Sequence, residues 1–288
     1  MSTVSPCRLH FLLASEANVG IIIRRGPSRW VQLIQWNTSN DNFEQGQWFH
    51  GRVFEDLSHL SPNGNLFLYA ASNYHPRNAS VGYTWTAISR PPYFTAIAFW
   101  ASGWWCDGGI FLNNSTVALG QYTTEPRLGQ KPGKLRIITL EKWARIHGGI
   151  FLERLMQDGW AIESPNVDEY RRTTGYKGYS WQESRVVVRQ RLACSKVSPD
   201  QKYTLAFQQV DKSPLVFSFS LRFSDQTVPL ESVEWADFDQ QGRLVISKKG
   251  KILSLEVGDS GQLTEHELAD FNASKPEPVL TPNWAKQW

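Results

Sequence analysis

The sequence predicts an all-β fold: a β-propeller of five or six four-stranded blades, with a short C-terminal helix and a C-terminal tail. Aromatic residues, which suit half-buried pleated surfaces, make up 13% of the 288 residues. Turn signals between apolar runs recur roughly every 37 to 50 residues, close to the length of one propeller blade. The pentapeptide Gly-Gly-Ile-Phe-Leu occurs at 108–112 and again at 148–152, as expected of a chain built from repeated units.

Six turns define the predicted units, and their centres lie near residues 27, 64, 114, 158, 200 and 241. Gly and Asn tolerate the positive φ of a tight hairpin, and Pro presets φ at the second turn position. The last unit is the clearest, because 236–257 reads as three strands joined by two short turns. A closed ring removes exposed sheet edges, and the strand 8–13 is the candidate N-terminal contribution to a blade that mixes strands from both termini.

In this interpretation both copies of the repeated pentapeptide are strands of neighbouring units. The first copy leads into a turn at 113–114, and the second, extended as 150–155, leads into a turn at 157–159. The residues just before each copy, 104–107 and 144–147, differ between the units. We therefore expect the pentapeptide to be scaffold and the segments before it to carry function.

Two features set the C-terminal region apart. Thr264 and Glu267 have the spacing of a helical capping box, which predicts a short helix there. Residues 271–288 contain three prolines, which exclude regular structure, and two tryptophans, which predict docking on the propeller or on a partner. The predicted division is a propeller domain at 1–270 and a tail at 271–288.

Composition argues against several classes of protein. The net charge is only +3 and no basic run occurs, so nucleic-acid binding is not expected. The three cysteines, Cys7, Cys106 and Cys194, are far apart and lack the spacing of a zinc site or a disulfide scaffold. The apolar run at 11–14 is too short to cross a membrane. We expect a soluble, cytoplasmic protein that uses no metal and no cofactor.

Two of the predicted turns carry a family resemblance. The segments 60–69, around Ser61-Pro62-Asn63-Gly64, and 197–207, around Ser198-Pro199-Asp200-Gln201, resemble the turn phrase of WD40-like and TolB-like β-propellers. The Trp-Asp dipeptide and the Gly-His pair of standard WD40 repeats are absent. The whole chain also resembles a family of bacterial proteins of this length. The first resemblance implies the propeller fold, and neither supplies an activity.

Two aromatic loops are the candidate binding sites. The loop around 100–109 offers Trp104, Trp105 and Asp107, and the loop 169–185 offers Arg172, Tyr176 and Trp181. Loops on a rigid scaffold carry binding residues more often than strands do, and aromatic side chains anchor partners at a small cost in entropy. The structural alternative is that the tryptophans fill a gap between blades and that the second loop is merely solvated.

Patterns typical of catalysis are absent from the sequence. No nucleophile elbow, phosphate-binding loop or zinc-protease motif occurs, and the six histidines are scattered. Asp56 and His59 could form a polar pair near the mouth of a central channel, or a buried network that fixes strand register. Loop carboxylates such as Asp107, Glu163 and Asp168 could converge in space, although their spacing does not show it.

These observations predict a non-enzymatic propeller that serves as a binding or scaffold module for another protein. One alternative is a hydrolase or lyase acting on a carbohydrate or small ester, which needs two carboxylates, or a carboxylate and a histidine, close together in a cleft. A second alternative is a lectin-like sugar binder, which needs exposed tryptophans at equivalent places in several blades.

Overall fold

The computed structural model of the protein describes residues 6–26, 28–78, 80, 82–103, 108–120, 126, 128–129, 133–140, 149–163, 192–212, 215–258 and 261–288. This part of the chain consists mainly of strands, with one α-helix and two short 3-10 turns. In chain order the elements are β1 (Arg8–Leu13), β2 (Val19–Arg25), β3 (Trp30–Asn37), β4 (Asn42–His50), β5 (Arg52–Leu60), β6 (Phe67–Ser72), β7 (Thr84–Ser89), β8 (Ala96–Gly103), β9 (Gly109–Asn113), β10 (Thr116–Leu119), β11 (Leu128–Gly129), β12 (Arg136–Thr139), α1 (Gly149–Gln157), β13 (Ala161–Ile162), β14 (Ala193–Val197), β15 (Thr204–Lys212), β16 (Leu215–Phe223), β17 (Gln226–Leu230), β18 (Trp235–Phe238), β19 (Leu244–Lys248), β20 (Lys251–Val257) and β21 (Leu263–Asp270).

The strands form five sheets that follow one another along the chain. Sheet 1 contains β1 to β4 and sheet 5 contains β18 to β21, each antiparallel and in chain order. Sheet 2 has the order β11-β8-β7-β6-β5, and sheet 4 the order β13-β14-β15-β16-β17. Sheet 3 has the order β12-β10-β9, and its β10–β12 pair is parallel. The prediction of an all-β fold is confirmed, and this succession of sheets is consistent with a propeller-like fold.

Hydrophobic cores lie between successive sheets. The largest core joins sheets 1, 4 and 5 with α1, and includes Trp36, Leu155, Phe207 and Trp235. A second core joins sheets 1 and 2, and a third joins sheets 2 and 3. The fourth joins β5, β6, β9 and β10 to α1. Since α1 contributes to both the first and the fourth core, it connects the core of sheets 1, 4 and 5 with the core formed by strands of sheets 2 and 3.

The predicted Ser-Pro turns form as expected in two sheets. Ser61 and Ser198 each accept a hydrogen bond at Oγ from a backbone N–H five residues later, at 2.9 Å in both cases. Each hydroxyl donates to the side-chain oxygen two residues on, in Asn63 and Asp200. These local bonds close the hairpins β5–β6 and β14–β15, which is why short polar residues occupy these positions.

Five of the six predicted turns join neighbouring antiparallel strands of one sheet. The turn near residue 27 lies between β2 and β3, inside sheet 1, and the turn near 158 follows α1. The turns near 64, 114, 200 and 241 join β5 to β6, β9 to β10, β14 to β15 and β18 to β19. The predicted turns therefore mark hairpins correctly in five cases, all except the turn near 158, but their spacing does not count the sheets.

Residues 149–152 of the second copy of the pentapeptide are helical, so the prediction of two equivalent strands is wrong. The first copy enters β9, where Gly108 adopts φ +65° and lies so close to Leu57 that a Cβ would meet its carbonyl oxygen at 2.4 Å. The second copy opens α1, because strong helix formers follow it at 153–157. Gly159, at φ +86°, ends this helix in a Schellman motif, with Trp160 N–H donating to Leu155 C=O at 2.8 Å.

The predicted capping-box helix is also wrong. Thr264 and Glu267 lie in β21, the outer strand of sheet 5, where most side chains are at least partly exposed. Cross-strand ion pairs favour the extended form, because Lys251 Nζ lies 2.6 Å from Glu267 and 3.4 Å from Asp270. The short helix of the C-terminal region is instead a 3-10 turn at Asn283–Lys286.

The N-terminal strand does not join a blade with the C-terminal strands. β1 pairs with β2 in sheet 1, whereas the described C-terminal strands form sheet 5. The two sheets meet through side chains instead, for example where Glu234 accepts a hydrogen bond from Leu9 N–H at 2.7 Å. The division of the chain at residue 270 stays a prediction. None of the helices that the structure describes is long and apolar enough to cross a membrane.

Candidate functional site

A cleft opens where sheets 1, 4 and 5 meet the end of α1. Its volume is about 190 Å³. Its walls come from residues 11–15 of β1 and the following turn, from the end of α1, from β14 and from β18 with its turn. Trp235 and Phe238 give it aromatic surface, while Asp158, Lys196 and Asp237 give it charge. Charged groups beside aromatic surface in a concave site are typical of ligand pockets.

Asp158 is the acidic group at the end of α1. Its carboxylate lies 3.7 Å from His59 Nε2 and 3.9 Å from Arg154 Nε, and its side chain is 25% exposed. Arg154 is one turn earlier on the same helix face, which is the i,i+4 spacing that brings such side chains together. Neither distance is that of a hydrogen bond, so the carboxylate keeps its acceptor capacity for a group in the cleft.

Arg154 and His59 lie behind Asp158 in the interior. The Arg154 guanidinium, 1% exposed, donates to the carbonyl oxygens of Glu55 and of Ser58, the latter at 2.9 Å, and lies over the Phe151 ring. Burial lowers the pKa of Arg154, and nearby carboxylates, Asp158 foremost, oppose that shift. His59 Nδ1 accepts the Phe111 N–H at 2.9 Å, so a neutral His59 carries its proton on the nitrogen that faces Asp158.

Lys196 and Asp237 form the second charged pair of the cleft. Lys196 Nζ lies 2.5 Å from Asp237 Oδ1 and also 5.8 Å from the centre of the Trp160 ring. Burial raises the pKa of Asp237, and Lys196 opposes this by favouring the charged carboxylate. The negative charge of Asp158 raises the same pKa further, because the carboxylates of Asp158 and Asp237 interact.

The rim of the cleft is fixed by bonds between sheets 1 and 5. Gln240 Nε2 donates to the carbonyl oxygens of Ala14 and Val19, at 2.6 and 3.1 Å. Arg243 lies between Asp239 and Asp41, with three charge-assisted bonds of 2.8 to 2.9 Å to these carboxylates. Gln240 and Arg243 already have hydrogen-bond partners within the protein. They therefore fix the shape of the cleft and are not its ligand-binding groups.

The six binding residues predicted from the sequence, Trp104, Trp105, Asp107, Arg172, Tyr176 and Trp181, lie outside the described residues, as do Asp168 and Cys106. Glu163 is described and pairs with Arg222 at 2.8 Å, with both side chains 42% exposed. Cys7 and Cys194 are buried and free, and burial raises the pKa of both thiols. No group of residues in the described part could hold a metal ion.

The predicted polar pair of Asp56 and His59 is replaced by a different one. The carboxylate next to His59 is that of Asp158, and His59 also ties β5 to β9 through Phe111. Sequence reasoning missed Asp158 and Lys196 because each stands alone in its segment, without a motif. The one available signal was the helical character of 153–157, which would have placed Arg154 and Asp158 on one face.

Comparisons with known proteins add little to this geometry. No family model and no curated protein matches the sequence. Among solved structures, the chain is similar to hydrazine synthase of Kuenenia stuttgartiensis, with 11% sequence identity and a TM-score of 0.35 over 89% of this chain and 78% of that chain. A likeness this weak carries no argument about fold or activity.

Proposed function

We propose that the chain is a non-enzymatic, propeller-like binding module, with sheets 1 to 5 as its blades, and that its cleft receives a basic side chain of a partner protein. The observation that carries this proposal is the unused hydrogen-bond acceptor capacity of Asp158. Its carboxylate lines the cleft, is partly exposed, and accepts no hydrogen bond from the described residues. A partly buried carboxylate with unused acceptors is stabilised by a donor that also brings positive charge.

The chemistry of the remaining lining favours a cation. Lys196 donates to the carboxylate of Asp237, and Gln240 donates to two backbone oxygens. Trp235 and Phe238 can cover the aliphatic stem of a lysine or arginine, whose charged end then reaches Asp158. A ligand carrying a carboxylate or phosphate would instead meet the carboxylate of Asp158, which has no hydrogen-bond donor among the described residues, and this disfavours such a ligand.

The same contacts support a binding role over a catalytic one. Lys196 and Asp237 neutralise each other, and His59 uses Nδ1 to hold the β9 backbone. A general base needs a free lone pair within reach of its substrate, and neither His59 nor Lys196 offers one in this arrangement.

A hydrolase or lyase is the second candidate, and one observation favours it. Asp158 and His59 lie 3.7 Å apart, and Asp237 lines the same cleft, which is the grouping that such an enzyme requires. A panel of nitrophenyl glycosides and nitrophenyl esters tests it. Turnover that disappears in Asp158→Asn would support this candidate, and lack of turnover on the whole panel would count against it.

A lectin-like role has less support. Of the tryptophans that the structure describes, Trp284 alone is exposed, and it lies in the C-terminal tail. Trp36, Trp100, Trp160 and Trp235 are buried in the cores. Equivalent exposed tryptophans in several blades, which a lectin would need, are therefore not present in the described part of the chain.

Affinity capture with matched variants tests the proposed function. Wild-type protein, Asp158→Lys and Glu256→Lys are immobilised after circular dichroism confirms that each is folded, and captured proteins are identified by mass spectrometry. Glu256 is the control, because its carboxylate is 76% exposed and lies outside the cleft. We expect one partner to bind wild type and Glu256→Lys alike and to bind Asp158→Lys about tenfold less or weaker. Equal recovery by Asp158→Lys contradicts the proposal.

A further inference from the structure

We propose that the C-terminal tail, residues 271–288, is a strap that holds sheet 1 against sheet 5 and so keeps the cleft between them narrow. These sheets contain the first and the last of the described strands and share no strand ladder in the described part. The contacts that form the strap lie within the protein and involve no ligand. Only its consequence for ligand access rests on the proposed function.

In the seam between sheets 1 and 5, side chains make the hydrogen bonds. Glu234 Oε2 accepts Leu9 N–H at 2.7 Å, and Ser247 Oγ donates to Leu9 C=O at 2.9 Å. Asn272 Oδ1 accepts Cys7 N–H at 3.1 Å. Such bonds each contribute modestly, and they lack the cooperativity of a continuous strand ladder, so a seam of this kind gains from an external tie.

The strap begins at a buried arginine of sheet 1. Arg24, 1% exposed, donates from Nε to the Phe271 carbonyl at 2.9 Å and from Nη2 to the Ser274 carbonyl at 3.0 Å. Its guanidinium also lies 4.9 Å from the centre of the Trp48 ring. The chain leaving sheet 5 is thereby fixed on sheet 1 within a few residues of the end of β21.

Gln47 of β4 is the central attachment point. Its Nε2 donates to Val279 C=O at 3.0 Å and to Thr281 Oγ1 at 2.6 Å, while its Oε1 accepts the N–H groups of Phe94 and Thr95 at 2.8 and 3.1 Å. One amide therefore joins the strap, sheet 1 and the segment that leads into β8. Thr281 Oγ1 also bonds to Thr95 Oγ1, which adds a direct link from the strap to sheet 2.

The last residues fasten the strap to sheet 2. The Trp284 ring packs edge-on against Tyr93 at 5.8 Å, and the Gln287 carbonyl accepts Arg90 Nε at 2.9 Å. Trp288 packs against the core shared by sheets 2 and 3. The tail thus runs from sheet 5 across sheet 1 to sheet 2, which is the path a tie across the seam requires.

The cleft lies on this seam. β1 supplies one wall and β18 supplies another, and these strands belong to sheets 1 and 5. Movement of sheet 1 away from sheet 5 would therefore widen the cleft, and release of the strap is the step that would permit this movement.

Deletion of 279–288 in the full protein, followed by hydrogen exchange without any ligand, tests the strap. The diagnostic strands are β1 and β18, because the bonds of 279–288 described above are made with Gln47, Arg90, Tyr93 and Thr95 rather than with these strands. We expect exchange at β1 and β18 to quicken by at least about fivefold, with β15 and β16 of sheet 4 unchanged. Unchanged exchange at β1 and β18, both in this deletion and in the deletion combined with Arg24→Gln, which also removes the bonds to Phe271 and Ser274, would overturn the proposal.

Point variants keep the test decisive if the deletion prevents folding. Thr281→Ala removes the Gln47 and Thr95 bonds, whereas Leu280→Ala alters the adjacent side chain, which is 90% exposed. We expect only Thr281→Ala to speed exchange at β1 and β18. Equal exchange in the two variants contradicts the strap, and since no ligand is used, this outcome is independent of whether the cleft binds a partner.

Discussion

His10 of β1 is partly buried, and its Nε2 is shielded from solvent without a compensating charge. Its ring lies 4.4 Å from the ring of Trp235, and its Nε2 has no hydrogen-bond partner among the described residues. Burial lowers its pKa well below the ordinary value of 6.5, and the positive charges of Arg154 and Arg25 lower the pKa further. The folded protein therefore holds His10 neutral at a pH where the unfolded chain protonates it.

This difference predicts a loss of stability in mild acid. Below pH 6.5 the unfolded state binds one more proton than the folded state, so the free energy of unfolding should fall by up to about 1.4 kcal/mol per pH unit. Urea unfolding at pH 7.5, 6.5 and 5.5 measures this slope in wild type and in His10→Gln, and we expect a shallower slope in the variant.

The raised pKa values of Glu55 and Asp237 act in the opposite direction, because these groups bind protons more readily when folded. They are present in both proteins, so the comparison of slopes cancels their contribution. Parallel slopes for wild type and His10→Gln would show that His10 is not held neutral by the fold.

At the scale of the element, the repeated pentapeptide shows where local sequence stops determining structure. Leu112 in β9 is 43% exposed, whereas Leu152, the same letter of the repeat, is 1% exposed within α1. The residues after each copy decide the outcome, since Asn113 and Asn114 form a turn and 153–157 extend a helix.

The two leucines form a matched pair for a stability measurement. Leu152→Ala removes a buried side chain and should lower the free energy of unfolding by about 2–5 kcal/mol. Leu112→Ala alters a half-exposed position and should change it by less than about 0.5 kcal/mol. Urea unfolding of both variants provides the values. Equal losses would contradict the assignment of different environments to the two copies.

Hairpins were predictable from the sequence where the turn makes its own bonds. Ser61 and Ser198 specify their turns through local hydrogen bonds, so the same residues that suggested the turn also build it. The C-terminal strand β21 was not predictable in this way. Thr264 and Glu267 fit a helix cap locally, and only pairing with β20 selects the extended form.

At the scale of the whole molecule, the cleft depends on contacts that no local pattern reveals. Asp158, Lys196 and Asp237 come from the turn after α1, from β14 and from β18, and the packing of sheets 1, 4 and 5 brings them together. The general expectation of a polar site near the inner strands could be formed from the sequence. The individual residues of the site could not be predicted, because the segment that forms α1 was predicted to be a strand.

The seam and its strap are likewise properties of the complete chain. The sequence predicted that one blade would mix strands from both termini and so join the terminal sheets. Bonds made by Glu234, Ser247 and the tail join sheets 1 and 5 instead. A structure closed by side chains and a strap can open at one place without unfolding elsewhere, which suits a binding site located on that seam.

Hydrogen exchange of the wild-type protein with and without its captured partner tests the central claim most directly. If the cleft receives a basic side chain, protection should appear at 11–15, at 157–158 and at 235–240, the segments that form its walls. Exchange in β21, the outer strand of sheet 5, should not change. Protection confined to other surfaces, with these three segments unaltered, would contradict the claim that this cleft is the binding site.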